Sequence, residues 1–130
     1  MISLRAFFKS FHHALRGLAE LFKTEQSFRL QVLATIIVGG LLIGLDLAAW
    51  QRILLILLCS AVLILEIINS IIERVADAVQ PRLSPMVKDV KDMMAGAVLL
   101  TALTALVVGT AILYLPVWEK VCAIIQYCKP

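Results

Sequence analysis

Three carboxylates and one asparagine stand at regular intervals in an apolar stretch in the middle of the chain, ILEIINSIIERVADAV at residues 64–79. At about 100° per residue on a helix, Glu73 and Asp77 fall within about 20° of Glu66, and Asn69 lies about 60° to one side. Three carboxylates and an amide therefore share one face of a largely apolar helix. Carboxylates in proteins do two kinds of chemistry that suit this arrangement, because they accept protons from alcohols and they hold metal ions.

The composition indicates whether this polar face lies in a water-soluble protein or in a membrane. The chain has 130 residues, of which 62% are hydrophobic, and its mean hydropathy is +0.97. Such a composition excludes an ordinary soluble domain and predicts an all-α membrane protein, with residues 1–130 forming one integral-membrane domain. A hydrocarbon core of about 30 Å needs about 20 helical residues. We expect transmembrane helices at 30–48, 52–76 and 86–115, and an outer-face tail at 116–130.

The residues before the first span have a different pattern. Seven large apolar side chains recur at helical spacing and four cations occupy a separate arc: Leu4, Phe7, Phe8, Phe11, Leu15, Leu18 and Phe22, then Arg5, Lys9, Arg16 and Lys23. The pattern predicts an amphipathic helix over 1–28 that lies in the plane of the membrane interface. The alternative is a helix that binds a soluble partner.

Positive charge is distributed unevenly along the chain. Nine of the twelve Lys and Arg residues either precede the first span or lie near the loop between the second and third spans. By the positive-inside rule the N-terminus and that loop are cytoplasmic. Pro81 and Pro85 bound the loop, Ser84 with Pro85 favours a helix start there, and Pro116 is expected to end the third helix.

Glu66 is the residue that most needs an explanation. It lies about seven residues from the cytoplasmic end of its span, so it is ~10 Å deep at 1.5 Å per residue. An ionisable side chain at membrane depth is costly and marks a functional site by default. At that depth a carboxylate can reach the hydroxyl of a lipid headgroup and act on it as a general base.

The other carboxylates are expected at the water boundary. Glu73 and Asp77 continue the polar face of the second span, and Glu25 stands at the end of the predicted surface helix. Hard oxygen ligands of this kind are those that Mg²⁺ combines with substrate phosphates. Lys88 and Lys91, across the loop, could meet the same phosphates as point charges.

These patterns leave more than one function open. A kinase that phosphorylates a lipid would use the carboxylates as described, whereas a proton-coupled transporter would use Glu66 as a proton site. The polar residues could also serve as interhelical contacts at the mouth of a bundle. No glycine-rich phosphate loop is present to decide between the enzyme and the transporter. We expect no nucleic-acid partner.

Three segments resemble a known family. They are KTEQSFR at 23–29, LEIINSIIERVAD at 65–77 and VKDVKDMMAGAVLL at 87–100. All three resemble segments of the small prokaryotic integral-membrane diacylglycerol kinases, a group that includes the undecaprenol kinases of Gram-positive bacteria. The resemblance runs from about Phe11 to Val108. It implies a homotrimer in the bacterial inner membrane, with active sites shared between neighbouring subunits at the cytoplasmic face.

The resemblance also implies a reaction and gives roles to residues on the acceptor side. The reaction is transfer of the γ-phosphate of ATP, with Mg²⁺, to a membrane lipid alcohol, first of all diacylglycerol, giving phosphatidic acid, with undecaprenol as the alternative acceptor. Glu66 resembles the catalytic base, and Asn69 resembles a neighbour that helps to position the acceptor. Phe28 and Arg29 fall in a segment that lines the lipid site.

On the nucleotide side, the resemblance adds four residues. Glu25 and Glu73 resemble the ligands of the metal and the nucleotide. Lys91 and Asp92 resemble the nucleotide-contacting pair that opens the third transmembrane helix. The reasoning from residue types places Asp77 in the same polar zone, so we expect it to contact the nucleotide as well.

Overall fold

A computed structural model of the chain describes residues 3–79 and 85–127, and these residues fold into helices joined by short connections. The four helices are α1 (Leu4–Thr24), α2 (Gln26–Gly44), α3 (Ala49–Val79) and α4 (Pro85–Tyr127). The all-α prediction is therefore confirmed. The predicted loop residues from Pro81 to Ser84 lie outside the described residues.

Three of the four helices are long and apolar enough to cross a membrane. Their spans are Gln26–Gly44, Ala49–Ala78 and Pro85–Ile125, with mean hydropathies of 1.7, 2.5 and 2.3. The number of predicted spans is confirmed. The first begins four residues earlier than the expected 30–48, because the chain leaves the first helix sooner than the apolar pattern indicated.

The joint between α1 and α2 is the single residue Glu25. Its backbone is extended, with φ −103° and ψ 116°, so α1 ends at Thr24 and not at residue 28. The Glu25 N–H donates to the carbonyl of Leu21 at 2.9 Å and so satisfies one of the last carbonyls of α1. The side chain of Glu25 is thereby held at the corner between the two helices.

The connection between α2 and α3 is a short turn with several hydrogen bonds. The Leu45 N–H donates to the Leu41 carbonyl at 2.9 Å and ends α2. The Ala48 N–H donates to Oε1 of Gln51 at 2.8 Å, which satisfies a donor at the start of α3. The two helices pack on each other and run antiparallel, as such a short connection requires.

The prediction that Pro116 ends the third helix is wrong. α4 continues through it to Tyr127, so residues 116–127 of the expected outer-face tail are helical. Proline removes one backbone donor from the helix, a loss that membrane helices tolerate when neighbouring helices pack against them. Ile112 is buried one turn before the proline, and Val117 packs against the same core after it.

The apolar core lies at the α2–α3 turn, away from the polar face of α3. It is formed by Leu45, Leu47, Leu55 and Ile112. Leu55 is only 2% exposed. A Cβ atom built on Gly109 of α4 would stand 3.8 Å from Leu55 Cδ2, an ordinary van der Waals contact, so Gly109 faces Leu55 across the α3–α4 interface. Because Glu66 is eleven residues further along α3, it lies ~16 Å from this core.

We predict that Leu55→Ala lowers the free energy of unfolding by about 1–3 kcal/mol. The loss comes from packing contacts and the cavity left behind, and it is smaller than in a water-soluble core because lipid is as apolar as leucine. Denaturant titration of helicity in detergent micelles measures it. Leu57→Ala is the matched control, since Leu57 is 59% exposed on the same helix. Equal losses for both variants would contradict this core assignment.

Candidate active site

Three polar side chains are buried in the part of the chain that the structure describes, and all of them lie on α3. Glu66 is 5% exposed, Asn69 is 9% exposed and Ser70 is 2% exposed. Burial is costly for polar groups and most of all for a carboxylate, so hydrogen-bond partners are required. The segment singled out from the sequence is therefore also the polar centre of the fold.

The partner of Glu66 comes from α2. Nε2 of Gln31 donates a hydrogen bond to Oε2 of Glu66 at 2.9 Å. Among the residues that the structure describes, the Glu66 carboxylate accepts this one hydrogen bond. The two residues are 35 positions apart in the sequence, so only the packing of α2 against α3 brings them together.

The same region contains buried acceptor atoms that no described donor reaches. Nδ2 of Asn69 donates to Oε1 of Glu73 at 3.2 Å, one turn further along α3. The carbonyl oxygens of both amides, Oε1 of Gln31 and Oδ1 of Asn69, are buried and have no hydrogen-bond partner among the described residues. Buried polar atoms are normally satisfied, and a site of this balance suits a ligand that brings an O–H or N–H donor.

Glu25 is tied to the far end of α3 by an arginine. Nη2 of Arg74 lies 3.3 Å from Oε1 of Glu25 and also donates to the hydroxyl of Thr24. Arg74 directly follows Glu73 in the chain, so the structure brings the joint between α1 and α2 to the level of the second glutamate. Both members of the ion pair are partly exposed, at 47% and 31% of their side chains.

A second ion pair connects α3 with α4. Nζ of Lys91 donates to Oδ1 of Asp77 at 2.9 Å. Asp92 follows Lys91 and is exposed. The predicted nucleotide residues on α3 and α4 therefore stand towards one end of the bundle, two to three turns of α3 beyond Glu66.

Phe28 and Arg29 point in different directions. Phe28 is buried at 5% exposure, whereas Arg29 is exposed. Adjacent helical residues differ by about 100°, so the two cannot present one common surface. In the described chain Phe28 helps to pack α2, one turn before Gln31.

An apolar cavity of about 370 Å³ lies beside the buried pair. Gln31 lines one end of it, and its walls come from α2, α3 and α4 as far as Leu113. Among its few polar wall residues, Thr35 uses its hydroxyl to bond the carbonyl of Gln31 at 2.8 Å. The cavity is thus lined almost entirely by apolar surface, and Gln31 is one of its few polar lining residues.

Comparison with known proteins identifies the family. The model of the prokaryotic diacylglycerol kinase family matches residues 12–113, which include every residue from Glu25 to Asp92 discussed above. The chain belongs to the prokaryotic diacylglycerol kinase family. The resemblance found in the sequence is thereby confirmed, and the protein is an ATP-dependent membrane lipid kinase. The comparisons give no support to the transporter alternative.

Individual relatives cover most of the kinase. The undecaprenol kinase of Bacillus subtilis (strain 168) is 35% identical over 115 residues, which are 87% of this chain and 91% of the relative. The diacylglycerol kinase of Pseudomonas aeruginosa is 35% identical over 94 residues, 71% and 76% of the two chains. The diacylglycerol kinase of Escherichia coli (strain K12) is 30% identical over 106 residues, 82% and 87% of the two chains.

Sequence reasoning missed two residues that contact the predicted site of the kinase. Gln31 was overlooked because a single amide near the start of a span gives no periodic signal. Arg74 was counted only as a positive charge, although it directly follows Glu73. Both contacts are between residues far apart in the chain, so a pattern within one helix could not reveal them.

We predict that Arg74→Ala loosens the attachment of α1 without unfolding the kinase. Exposed ion pairs contribute less than about 1 kcal/mol, so the free energy of unfolding changes by no more than that. The amides of the last turn of α1 should exchange with deuterium faster, because the bonds to Glu25 and Thr24 are lost. Hydrogen exchange with mass spectrometry, on protein in lipid nanodiscs, measures this difference.

Lys23→Ala is the matched control for this experiment. Lys23 is the basic residue in the last turn of α1, so its removal changes the charge of the same helix end. Exchange should stay at the wild-type rate in this variant. Equal acceleration in both variants would mean that net charge, and not the Arg74 contact, holds α1.

Proposed function

We propose that the kinase transfers the γ-phosphate of ATP to the hydroxyl of a membrane lipid alcohol, with Glu66 as the general base. Diacylglycerol is the expected acceptor and phosphatidic acid the product. Glu66 takes the proton of the lipid hydroxyl while the hydroxyl oxygen forms the new bond to the γ-phosphorus. The bond from that phosphorus to the bridging oxygen of ADP breaks, and ADP leaves with the electron pair.

The observation that carries this proposal is the hydrogen-bond balance around Glu66. The buried Glu66 carboxylate accepts a hydrogen bond from the described chain at Oε2. The buried amide oxygens of Gln31 and Asn69 receive none from the described residues. An alcohol supplies the donor for which such a group of acceptors is suited. A base must also lie within hydrogen-bond reach of the proton it removes, and a hydroxyl bound at Glu66 meets that condition.

The adjoining cavity supports a lipid and not a water-soluble alcohol. Its volume is about 370 Å³, and its walls are mostly apolar side chains of three membrane-spanning helices. A hydroxyl attached to a hydrocarbon chain can place its polar end at Gln31 and Glu66 while the chain occupies the apolar part. A free sugar or other polyol would leave polar groups unpaired there, which is costly.

Mg²⁺ fits the carboxylates on the nucleotide side. It is usually held by one or two carboxylates together with substrate phosphates and water, not by a complete protein cage. Glu25 and Glu73 would hold the ion, which neutralises phosphate charge when bound.

The remaining nucleotide contacts are proposed at the same end of the bundle. Lys91 can turn from Asp77 towards a phosphate, since the side chain is flexible and Asp77 is 64% exposed. Asp92 adjoins it and is exposed. Because Asp77 lies eleven residues beyond Glu66 on α3, the polar residues extend over ~16 Å along the helix. That extent suits a water-soluble donor at one end and a lipid acceptor at the other.

We place this end at the cytoplasmic face of a bacterial inner membrane. The support is the distribution of Lys and Arg, which are concentrated before α2 and near the α3–α4 end. The exposed aromatic side chains of α1, Phe7, Phe8 and Phe11, support its position in the plane of that interface. The headgroup of a lipid and cytoplasmic ATP would then meet at the polar face of α3.

A homotrimer with sites shared between subunits completes the proposal. A single chain covers little of its own spans, since only 6%, 22% and 0% of the most apolar windows of α2, α3 and α4 are buried. Neighbouring copies of the chain could cover these exposed apolar faces by helix packing.

Undecaprenol is the second candidate acceptor. The alignment with the undecaprenol kinase of Bacillus subtilis is longer than those with the two diacylglycerol kinases described above, at equal or higher identity. Both lipids carry one hydroxyl on a long hydrocarbon body, so the same carboxylate and the same cavity could serve either.

We predict that Glu66→Gln lowers kcat for lipid phosphorylation by about 10²–10⁴-fold, the usual contribution of a general base. The apparent KM for ATP should change less than about twofold, because the nucleotide residues are two to three turns away on α3. Labelled ATP and purified protein in lipid-containing micelles give both constants. Glu119→Gln, the same chemical change at an exposed position of α4, is the control and should behave as wild type. Wild-type kcat in Glu66→Gln would refute the proposed base.

We expect a panel of acceptors to identify the lipid. Diacylglycerol, undecaprenol and ceramide, each at equal mole fraction in the same micelles, are offered with labelled ATP, and kcat/KM is compared. Diacylglycerol should give the highest value. A value at least tenfold higher for undecaprenol would overturn the diacylglycerol assignment while leaving the lipid-kinase chemistry intact.

A further inference from the structure

Gln31 is the residue through which α2 contacts the polar centre of α3. Its Nε2 donates to Oε2 of Glu66 at 2.9 Å. Its other polar atom, Oε1, is buried and has no partner among the residues that the structure describes. The Gln31 side chain therefore has Glu66 as its hydrogen-bond partner, and no competing contact within the described chain holds the amide in another direction.

We propose that Gln31 is a positioning residue for the phosphoryl transfer, which fixes the rotation of the Glu66 carboxylate. This inference rests on the proposed role of Glu66 as base. A carboxylate on a long side chain can rotate about its last bond, and a base works only when one oxygen faces the proton. The Gln31 N–H engages Oε2, and Oε1 of Glu66 is left to face the hydroxyl.

The fold makes Gln31 suited to this task. One turn earlier on α2 Phe28 is buried at 5% exposure, and two turns later Val38 packs against the apolar core. α2 is therefore held against the bundle on both sides of Gln31, and the amide has a stable base from which to reach α3. Side chains placed on packed helices keep their geometry better than side chains on loops.

Gln31 stands beside an apolar cavity, where a polar side chain needs an explanation. An amide there is expensive unless it is hydrogen-bonded, and an aliphatic residue would fill the same volume at less cost. The amide contributes a donor to a carboxylate that is otherwise surrounded by apolar helices. A purely structural polar contact would stabilise the packing of α2 and α3 equally well whether or not Glu66 acts as a base.

A double-mutant cycle separates these two roles. Gln31→Met keeps the length of the side chain and removes the N–H donor. We expect kcat to fall about 10–100-fold, the usual effect of losing a residue that orients a catalytic or metal-bound group, with KM for ATP within about twofold. In the Glu66→Gln background the same substitution should cost less than about threefold, because the carboxylate that it orients is already gone.

Two further variants make the result decisive. Thr104→Val removes a hydroxyl that bonds its own helix at an exposed position of α4 outside the cavity wall, and it should keep the wild-type kcat. Gln31→Asn retains the amide but shortens it by one methylene, and its rate should lie between those of wild type and Gln31→Met. Rates are normalised to the fraction of protein that binds a non-hydrolysable ATP analogue. If Gln31→Met does not bind it, Gln31→Asn is carried through the same cycle.

The outcomes distinguish this inference from the proposed function. If Glu66→Gln is inactive and Gln31→Met has the wild-type kcat, Glu66 remains the base and the positioning role is refuted. Equal losses from Gln31→Met in both backgrounds would also refute it, because they would show a structural contact independent of the carboxylate. Wild-type activity in Glu66→Gln itself would refute the base, and with it the premise of the inference.

Discussion

The structure depends on the burial of one carboxylate inside a bundle that is built for lipid. An acidic side chain at the centre of a membrane helix costs about 2.5–3.5 kcal/mol on insertion scales, and the hydrogen bond from Gln31 offsets part of this cost for Glu66. That bond can form only if α2 and α3 pack in one relative position. The requirement to satisfy Glu66 therefore constrains the arrangement of two helices, and a chain without a use for the carboxylate would gain stability by replacing it.

The polar face of α3 contacts each of the other three helices. Glu66 is bonded to α2, Arg74 is bonded to the joint between α1 and α2, and Asp77 is paired with Lys91 of α4. These contacts are buried near Glu66 and partly exposed towards the other end of the bundle. In the proposed site, the part around Glu66 is therefore packed, whereas the exposed ion pairs of Arg74 and Asp77 could exchange partners at little cost.

Much of this arrangement was predictable from the sequence, because it depends on patterns within single helices. The three spans and the polar face of α3 follow from hydropathy and from a period of about 100° per residue. Pairing between helices has no such signal, so the contacts of Gln31 and Arg74 were missed. Pro116 was misjudged because a proline usually ends a helix in water, whereas packing of Ile112 and Val117 against the core keeps α4 continuous.

The distance between the acceptor hydroxyl and Glu66 tests the central claim most directly. It can be measured in an experimental structure of the kinase in lipid, with a non-hydrolysable ATP analogue, Mg²⁺ and the preferred lipid alcohol bound. A general base requires about 2.6–3.2 Å between the hydroxyl oxygen and a carboxylate oxygen, and we expect that distance to Oε1 of Glu66. A hydroxyl oxygen bound to another side chain, with Glu66 more than about 5 Å away and no water between them, would contradict it.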